Sequence, residues 1–270
     1  MPAASLIVST YNQPEWLAKV LWALEEQDCQ DFELVIADDG SGADTDRLLA
    51  SYRADSALTM QRVWHPDEGF RKTEILNRAI VAARGEYLIF TDGDCLPRAD
   101  FIRTHLTLRR PGHFLSGGYY KLTREVSHRI DRASVRSQAC FRPEWLHAQG
   151  QPRSLKDLKL TGNAAAARWL NRLTPTRPSW NGHNASAFKD DILAANGFDT
   201  RMKYGGEDRE FGERLVNGGL RPRQVRYAAI CLHLDHDRGY VTDDMIRAND
   251  AIRETTRREQ SVRTAYGIRR

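Results

Sequence analysis

The hydrophobic positions near the start of the chain alternate between two periods. Residues 5–9 (SLIVS) form a short apolar, β-branched run of the kind found in strands buried on both faces, and it stops at Thr10, Tyr11 and Asn12. Over 15–27 the apolar side chains Trp16, Leu17, Val20, Leu21 and Leu24 recur at helical spacing, with Pro14 suited to the first turn. Residues 32–37 return to strand and run into Asp38, Asp39, Gly40 and Ser41, whose turn chemistry ends the strand and opens a helix near Asp44. A strand over 60–64, a helix over 73–83 and a strand over 87–91 continue the series. The pattern predicts an α/β fold with a mostly parallel open sheet and helices on both faces. Such sheets bind ligands beyond the carboxyl ends of their strands, where Tyr11, Asp38, Asp39, Asp92 and Asp94 all fall.

From 122 to 173 the strand alternation disappears and the chain becomes rich in Arg, Trp, Leu and Ala, which predicts a helical excursion; Pro175 and Pro178 then mark a loop. Residues 180–188 read as a return to the sheet, 208–216 as a helix and 223–232 as a strand. The stretch 243–263 reads as an amphipathic helix, followed by a basic end at Arg269 and Arg270. There is no internal repeat and no low-complexity tract.

Composition narrows the class without naming a chemistry. The 270 residues are 41% hydrophobic and 28% charged with both signs interspersed, as in a folded globular chain with one sizeable core. Arg supplies most of the positive charge behind the net +4, which fits a phosphate-bearing ligand or equally a general bias toward Arg. Cys29, Cys95, Cys140 and Cys231 include no Cys-x-x-Cys pair, so neither zinc nor a disulfide framework is expected, and a reducing cytoplasm is the simpler home. No apolar run approaches the roughly 18–20 residues that span a bilayer, and no signal-peptide pattern is seen; this leaves peripheral contact with an anionic membrane, through the basic end, as the membrane association to expect.

Candidate chemistry collects at the strand ends. Asp92 and Asp94 flank Gly93, which permits a tight turn that brings both carboxylates to one cation; oxygen ligands of this kind suit Mn²⁺ or Mg²⁺ bridging a diphosphate. An Asp-x-Asp alone is common on surfaces, and it is the preceding Tyr-Leu-Ile-Phe strand that gives this one weight. Asp39 is suited to a base or ribose, whereas Asp38 serves a ligand or caps a helix equally well. Tyr11 either stacks on a base or packs on the core. Arg71 and Lys72, after Gly69 and Phe70, stand at a helix entrance that favours an anion, with a solvated basic turn as the alternative. Gly205 and Gly206 deliver Glu207 and Asp208 to a helix start, where one carboxylate acts as general base or as a cap. His233 and His236, at i, i+3 spacing, offer one imidazole to the metal rather than two.

With these motifs in order, the chain resembles the family 2 glycosyltransferases of the GT-A fold. The carriers are Val-Ser-Thr-Tyr-Asn (8–12), Ala-Asp-Asp-Gly-Ser (37–41), Gly-Phe-Arg-Lys (69–72) with Asn-Arg-Ala (77–79), and Thr-Asp-Gly-Asp (91–94). Asn-Gly-His-Asn (181–184), Gly-Phe-Asp (197–199) and Tyr-Gly-Gly-Glu-Asp (204–208) are similar to the C-terminal half of galactosyltransferase-type and chondroitin-polymerase-type enzymes; the resemblance is thin over 122–173. It implies that Tyr11 and Asp39 hold uracil and ribose, that Ser9, Arg71 and Gly93 lie by the donor, and that Asp94 binds the metal with Asp92 on the ribose or metal shell. It further implies Asp208 as base beside Glu207, and a sugar and acceptor pocket at Trp180, His183, Asn184 and Gly206. The metal histidine of the family matches His233 best, with His236 the alternative. His183 departs from the small or apolar residue that relatives often carry.

The resemblance divides the chain into a nucleotide-sugar-binding half (1–121), a helical insertion and loop (122–179), an acceptor-side catalytic half (180–241) and a C-terminal helix with a basic tail (242–270), all in one structural domain. The implied function is metal-assisted, inverting transfer from a nucleotide-diphosphate sugar, with UDP the expected carrier, to a glycan or lipid-linked hydroxyl at the inner face of the cell membrane. A sugar-nucleotide pyrophosphorylase is disfavoured because Thr10-Tyr11-Asn12-Gln13-Pro14 stands where its Gly-rich loop belongs. A non-catalytic nucleotide-sugar-binding module leaves Glu207 and Asp208 without a task. Nucleic-acid binding is disfavoured because the cations are dispersed and the acids gather at the strand ends.

Overall fold

A computed structural model describes residues 1–236 and 242–268. Strand β1 (Ala4–Thr10) leads through helix α1 (Pro14–Glu25) to β2 (Phe32–Asp38), and α2 (Ala43–Asp55) leads to β3 (Met60–Trp64). Helix α3 (Lys72–Ala82) then leads to β4 (Tyr87–Asp92). These four strands are mutually parallel, and β1 and β2 are buried along their whole length, as continuous apolar runs require. The register sets Ser9 opposite Asp92 and Thr10 opposite Asp38, so the acidic residues that end β2 and β4 meet at the carboxyl end of the sheet.

The following elements are short: β5 (Cys95–Pro97), α4 (Phe101–Leu108), β6 (His113–Ser116) and β7 (Gly118–Lys121). The excursion is helical as expected, with α5 (Arg124–Arg129), α6 (Arg132–Arg136), α7 (Pro143–Ala148) and α8 (Ala164–Leu173) joined by two 3₁₀ turns. The chain returns through β8 (Ala185–Phe188), α9 (Lys189–Ala194), α10 (Glu207–Asn217), β9 (Arg221–Gln224), β10 (Ile230–His233) and α11 (Asp243–Arg258). The seven-stranded main sheet runs β3-β2-β1-β4-β8-β6-β9, with β8 antiparallel to both neighbours, and a three-stranded sheet runs β5-β10-β7.

Side chains on alternate faces of β1 and β2 feed different cores. Leu6, Val8, Leu34 and Ile36 meet α1 and Phe101 on one face, while Ile7, Val35 and Ala37 meet α3, Trp180 and Phe211 on the other. A third cluster, including Tyr120, Leu122, Phe141, Leu160 and Leu232, fixes the helical excursion to the small sheet.

Three segments depart from the reading of the sequence. Only 185–188 of the expected strand over 180–188 is strand, because fully buried Trp180 leaves the ladder to pack on Phe90 and Phe211. The expected strand over 223–232 is two strands in different sheets, parted where Ala228 and Ala229 both donate to the Val225 carbonyl. Helix α11 ends at Arg258, and Gln260 adopts a left-handed φ of 52°. Arg269 and Arg270 lie outside the described residues. Among the described residues no helix is long and apolar enough to cross a membrane.

Candidate active site

A cavity of about 740 Å³ opens at the carboxyl ends of β1, β2 and β4, within the range of small-molecule sites. Register brings Ser9 to Asp92, and Ser9 Oγ donates to Asp92 Oδ1 at 2.5 Å. Lys72, the first residue of α3, reaches the same oxygen with Nζ at 2.7 Å. Burial alone would discharge this lysine, but Asp92, Asp208 and Glu207 around it hold the ammonium far above its ordinary range. Burial likewise opposes the charge on Asp92, and Lys72 outweighs it, keeping the carboxyl below its ordinary value.

Asp39 and Asp38 point to different tasks. Asp39 lines the cavity, its Oδ1 2.7 Å from His65 Nε2 and its Oδ2 accepting from the Arg71 backbone at 3.1 Å, with burial pushing its carboxyl up. Asp38 lies outside the cavity lining: it accepts from Ser41 N at 2.8 Å and pairs with Arg62, so it holds the turn, while α2 takes Gly42 as its cap. Tyr11 is 44% exposed at the cavity wall rather than packed in the core, and its hydroxyl donates to Asp67 at 2.8 Å.

Beyond Asp92, the Gly93 amide bonds the Ser9 carbonyl at 2.7 Å and turns Asp94 toward the end of β10. Asp94 Oδ2 lies 2.7 Å from His236 Nε2 and 3.9 Å from His233 Nε2. The two imidazoles are nearly parallel, at an interplanar angle of 11°. Burial opposes the charge on Asp94, yet His236 and His233 bring its carboxyl down to about 2. Asp94 Oδ1 is shut off from solvent without a hydrogen-bond partner among the described residues, and Asp94, Cys95 and His233 carry ligand atoms within 4.8 Å of one another. A carboxylate with an orphaned oxygen beside imidazole nitrogens is a donor set that fits Mn²⁺ or Mg²⁺. The Cys95 thiol is pushed up by burial and stays protonated.

The acid pair lines the same cavity from the start of α10. Gly205 and Gly206 have φ near 102° and 99°, a conformation that favours glycine, and a Cβ on Gly205 would fall 2.3 Å from Ile246 of α11. Glu207 accepts from Gly205 N at 2.7 Å, and burial together with Asp208 pushes its carboxyl to about 7. Asp208 does not cap α10, whose cap is Gly206; its Oδ2 accepts from Gly182 N at 2.8 Å and its Oδ1 is buried without a hydrogen-bond partner among the described residues. Burial raises the Asp208 carboxyl, with Lys72 opposing. A buried carboxylate with a raised affinity for protons is chemically suited to take one from a hydroxyl.

Two assignments made from the sequence are corrected. The Arg71 guanidinium is bound by Glu68 and Glu74 outside the cavity lining, and Lys72 is the cation that enters, because the helix turns successive side chains to different faces. Asn184 lies fully buried behind the cavity, donating to the carbonyls of Gly118 and Ala229 at 2.8 and 3.0 Å, so it ties the small sheet to the main one instead of facing a sugar. Trp180 is almost wholly core and shows the cavity only a sliver of surface. His183 and Gly206 do line the cavity, and burial pushes the His183 imidazole down to about 4, leaving it neutral at pH 7. The sequence reading named Arg71 and Lys72 together but carried only Arg71 to the donor, although the helical phase of 72–82 could have told them apart, and it missed Tyr119, Lys159 and Arg226, which also line the cavity.

Residues 5–122 match the family model described as glycosyl transferase family 2. Over these residues the chain is similar to the family 2 glycosyltransferases. The uncharacterized glycosyltransferase YfnE of Bacillus subtilis (strain 168) is 25% identical over 273 residues, covering 92% of this chain and 69% of its own. The chondroitin synthase of Escherichia coli is 26% identical over 235 residues, covering 83% of this chain but 34% of its own. Among solved structures, the mannosyltransferase PcManGT from Pyrobaculum calidifontis, in complex with GDP-Man and Mn²⁺, superposes with a TM-score of 0.58 at 21% identity, over 88% of this chain and 59% of that one. The chain thus has the GT-A fold, and it spans only part of these proteins.

Proposed function

We propose that the chain transfers a sugar from a nucleotide-diphosphate donor, UDP being the expected carrier, to a hydroxyl of a glycan or lipid-linked acceptor, with inversion at the anomeric carbon. One observation carries the reading: Asp94 with its histidines and the partly unsatisfied Asp208 line one cavity, together with Asp92 and Lys72, and Lys72 feels both Asp92 and Asp208. On this reading Tyr11 offers a ring face to the base and Asp39 accepts from base or ribose, its second oxygen held by the Arg71 amide. Asp92 and Ser9 meet the ribose side of the donor. Asp94, with His233 or His236, would hold Mn²⁺ or Mg²⁺, which when bound neutralises charge on the diphosphate.

Asp208 removes the proton from the acceptor hydroxyl. The acceptor oxygen forms its bond to the anomeric carbon as the bond from that carbon to the diphosphate oxygen breaks, and the electron pair leaves with the diphosphate. Gly182 N–H orients the base by holding Oδ2, which leaves Oδ1 without a competing hydrogen bond among the described residues. Lys72 keeps Asp92 ionised and moderates the proton affinity of Asp208. Neutral His183 bounds the sugar side without adding charge.

The test is a panel of UDP-, GDP- and dTDP-sugars assayed for release of the nucleoside diphosphate with Mn²⁺ and with chelator, and for the anomeric configuration of the product by NMR. Asp208→Asn is expected to bind nucleotide and to lose at least about 100-fold in transfer rate. If no donor turns over with any divalent metal the enzyme reading fails, and undiminished transfer by Asp208→Asn removes Asp208 from the base role.

A further inference from the structure

The wall of the cavity built from the second half of the chain carries cations that no carboxylate among the described residues neutralises. Lys159 Nζ donates to the Tyr119 carbonyl at 2.9 Å and lies 5.5 Å from the centre of the Tyr119 ring. Arg226 donates to Thr176 Oγ1 at 2.7 Å, again a neutral partner. Among the described residues neither side chain has a carboxylate within the 4.0 Å of an ion pair, although both are half-buried and line the cavity. Burial and the nearby Arg226 push the Lys159 ammonium below its ordinary range, the mark of two cations close enough to repel. Exposed Arg177 lines the same cavity. The acids of the cavity are engaged elsewhere: Asp39 with His65, Asp92 with Lys72, Asp94 with His236, Glu207 with Gly205 N and Asp208 with Gly182 N. A like-charged pair without a counterion is costly, and a bound oxyanion would turn that repulsion into two charge-assisted hydrogen bonds.

The place of this wall says which substrate brings the anion. Tyr119 separates Lys159 from the metal end, its ring packing on His183 at 4.7 Å and on His233 at 5.3 Å. Lys159, Thr176 and Arg226 all lie beyond residues 5–122, the part that matches the family model, and Thr176 lies in the loop that runs from the end of α8 through Trp180 to Gly182, the residue holding Asp208. The loop that carries the partner of Arg226 thus also carries the residue that holds the base, which on the transferase reading is the acceptor side.

We infer that Lys159 and Arg226 form an oxyanion subsite for the acceptor, which carries a carboxylate or phosphate on or next to the sugar that presents its hydroxyl. The inference rests on the transferase reading, since it takes Asp208 as the base.

The test titrates the wild type and the Lys159→Gln/Arg226→Gln variant with methyl glucuronide, glucose 1-phosphate and neutral methyl glucoside by ligand-observed NMR, with and without saturating UDP and Mn²⁺. The wild type is expected to prefer at least one anionic probe over the neutral one by about tenfold or more, and the variant to lose that preference, as two charge-assisted bonds imply. Which anionic probe responds tells carboxylate from phosphate. Added salt should weaken only the anionic probe, a measurement on the wild type that stands even if the variant fails to fold. Equal binding of charged and neutral probes, or no binding of either, overturns the inference, and so does a parallel loss of UDP affinity, which would give the cations to the donor. Failure of UDP to bind with Mn²⁺ counts against the transferase reading alone, because the nucleotide-free titration still reads the cation wall.

Discussion

His105 gives the fold a pH dependence that can be worked from its surroundings. It projects from α4 into the core, fully buried, with Nε2 3.0 Å from Asn184 Oδ1 and Nδ1 2.7 Å from Ser186 Oγ. Asn184 uses its amide nitrogen on two carbonyls, so its oxygen must accept; Nε2 then carries the proton, and Nδ1 accepts from Ser186, which accepts in turn from Tyr87. A second proton on the ring would lose the Ser186 bond and place a charge in the core, and burial pushes the imidazole down to about 4. The unfolded chain takes up a proton near pH 6.5, whereas the folded chain refuses it until near pH 4, so the stability linked to this group is complete above 6.5 and is lost as the pH falls through that window. At pH 5.5 the linkage amounts to about 1.4 kcal/mol relative to pH 8. Because Glu207 is raised to about 7, its linked stability has the opposite sign: it is present at low pH and lost as pH rises through the folded value, so the bare pH profile mixes the two. The difference between wild type and His105→Gln isolates the histidine. Urea unfolding at pH 8 and 5.5 should show the cost of the substitution shrinking by about 1.4 kcal/mol at the lower pH. A cost that is the same at both pH values would refute the buried neutral imidazole.

Three further outcomes test the walls of the site. Asn249 of α11, almost fully buried, accepts from Lys203 N and donates to the carbonyls of Lys203, Tyr204 and Gly205, so Asn249→Ala should cost about 1–3 kcal/mol in urea unfolding and lower kcat by loosening the loop before Glu207. Gly182→Ala would set a methyl 2.9 Å from Asp208 Oδ2; a displaced base should lower kcat by about 100-fold in steady-state assays while nucleotide affinity holds. Lys72→Met removes the cation that restrains Asp208, and the acidic limb of the kcat profile, where the base must lose its proton, should move to higher pH.

The apolar periods of 5–9, 15–27 and 32–37 sufficed for the first half of the sheet, because a strand buried on both faces and a one-sided helix leave different marks on a sequence. The same logic placed Asp92, Asp94, Asp39 and Tyr11 at strand ends, where parallel sheets open. It failed where packing outweighs local preference. Trp180 leaves its strand for a core shared with Phe211, and 221–233 divides between two sheets that meet only in space. Side-chain direction was likewise hidden: Arg71 and Lys72 are neighbours of one charge, and only the helix phase with Glu68 and Glu74 sends one outward and the other to Asp92. Whether His233 or His236 comes nearer Asp94 depends on where β10 ends against β5, and Asn184 reads as a pocket residue until the carbonyls of Gly118 and Ala229 close over it. The sequence by itself determined which residues have the chemistry and which strands carry them, because both are local. Which of them share a cavity, and which polar groups are spent inside the fold, was decided by contacts between residues far apart in the chain.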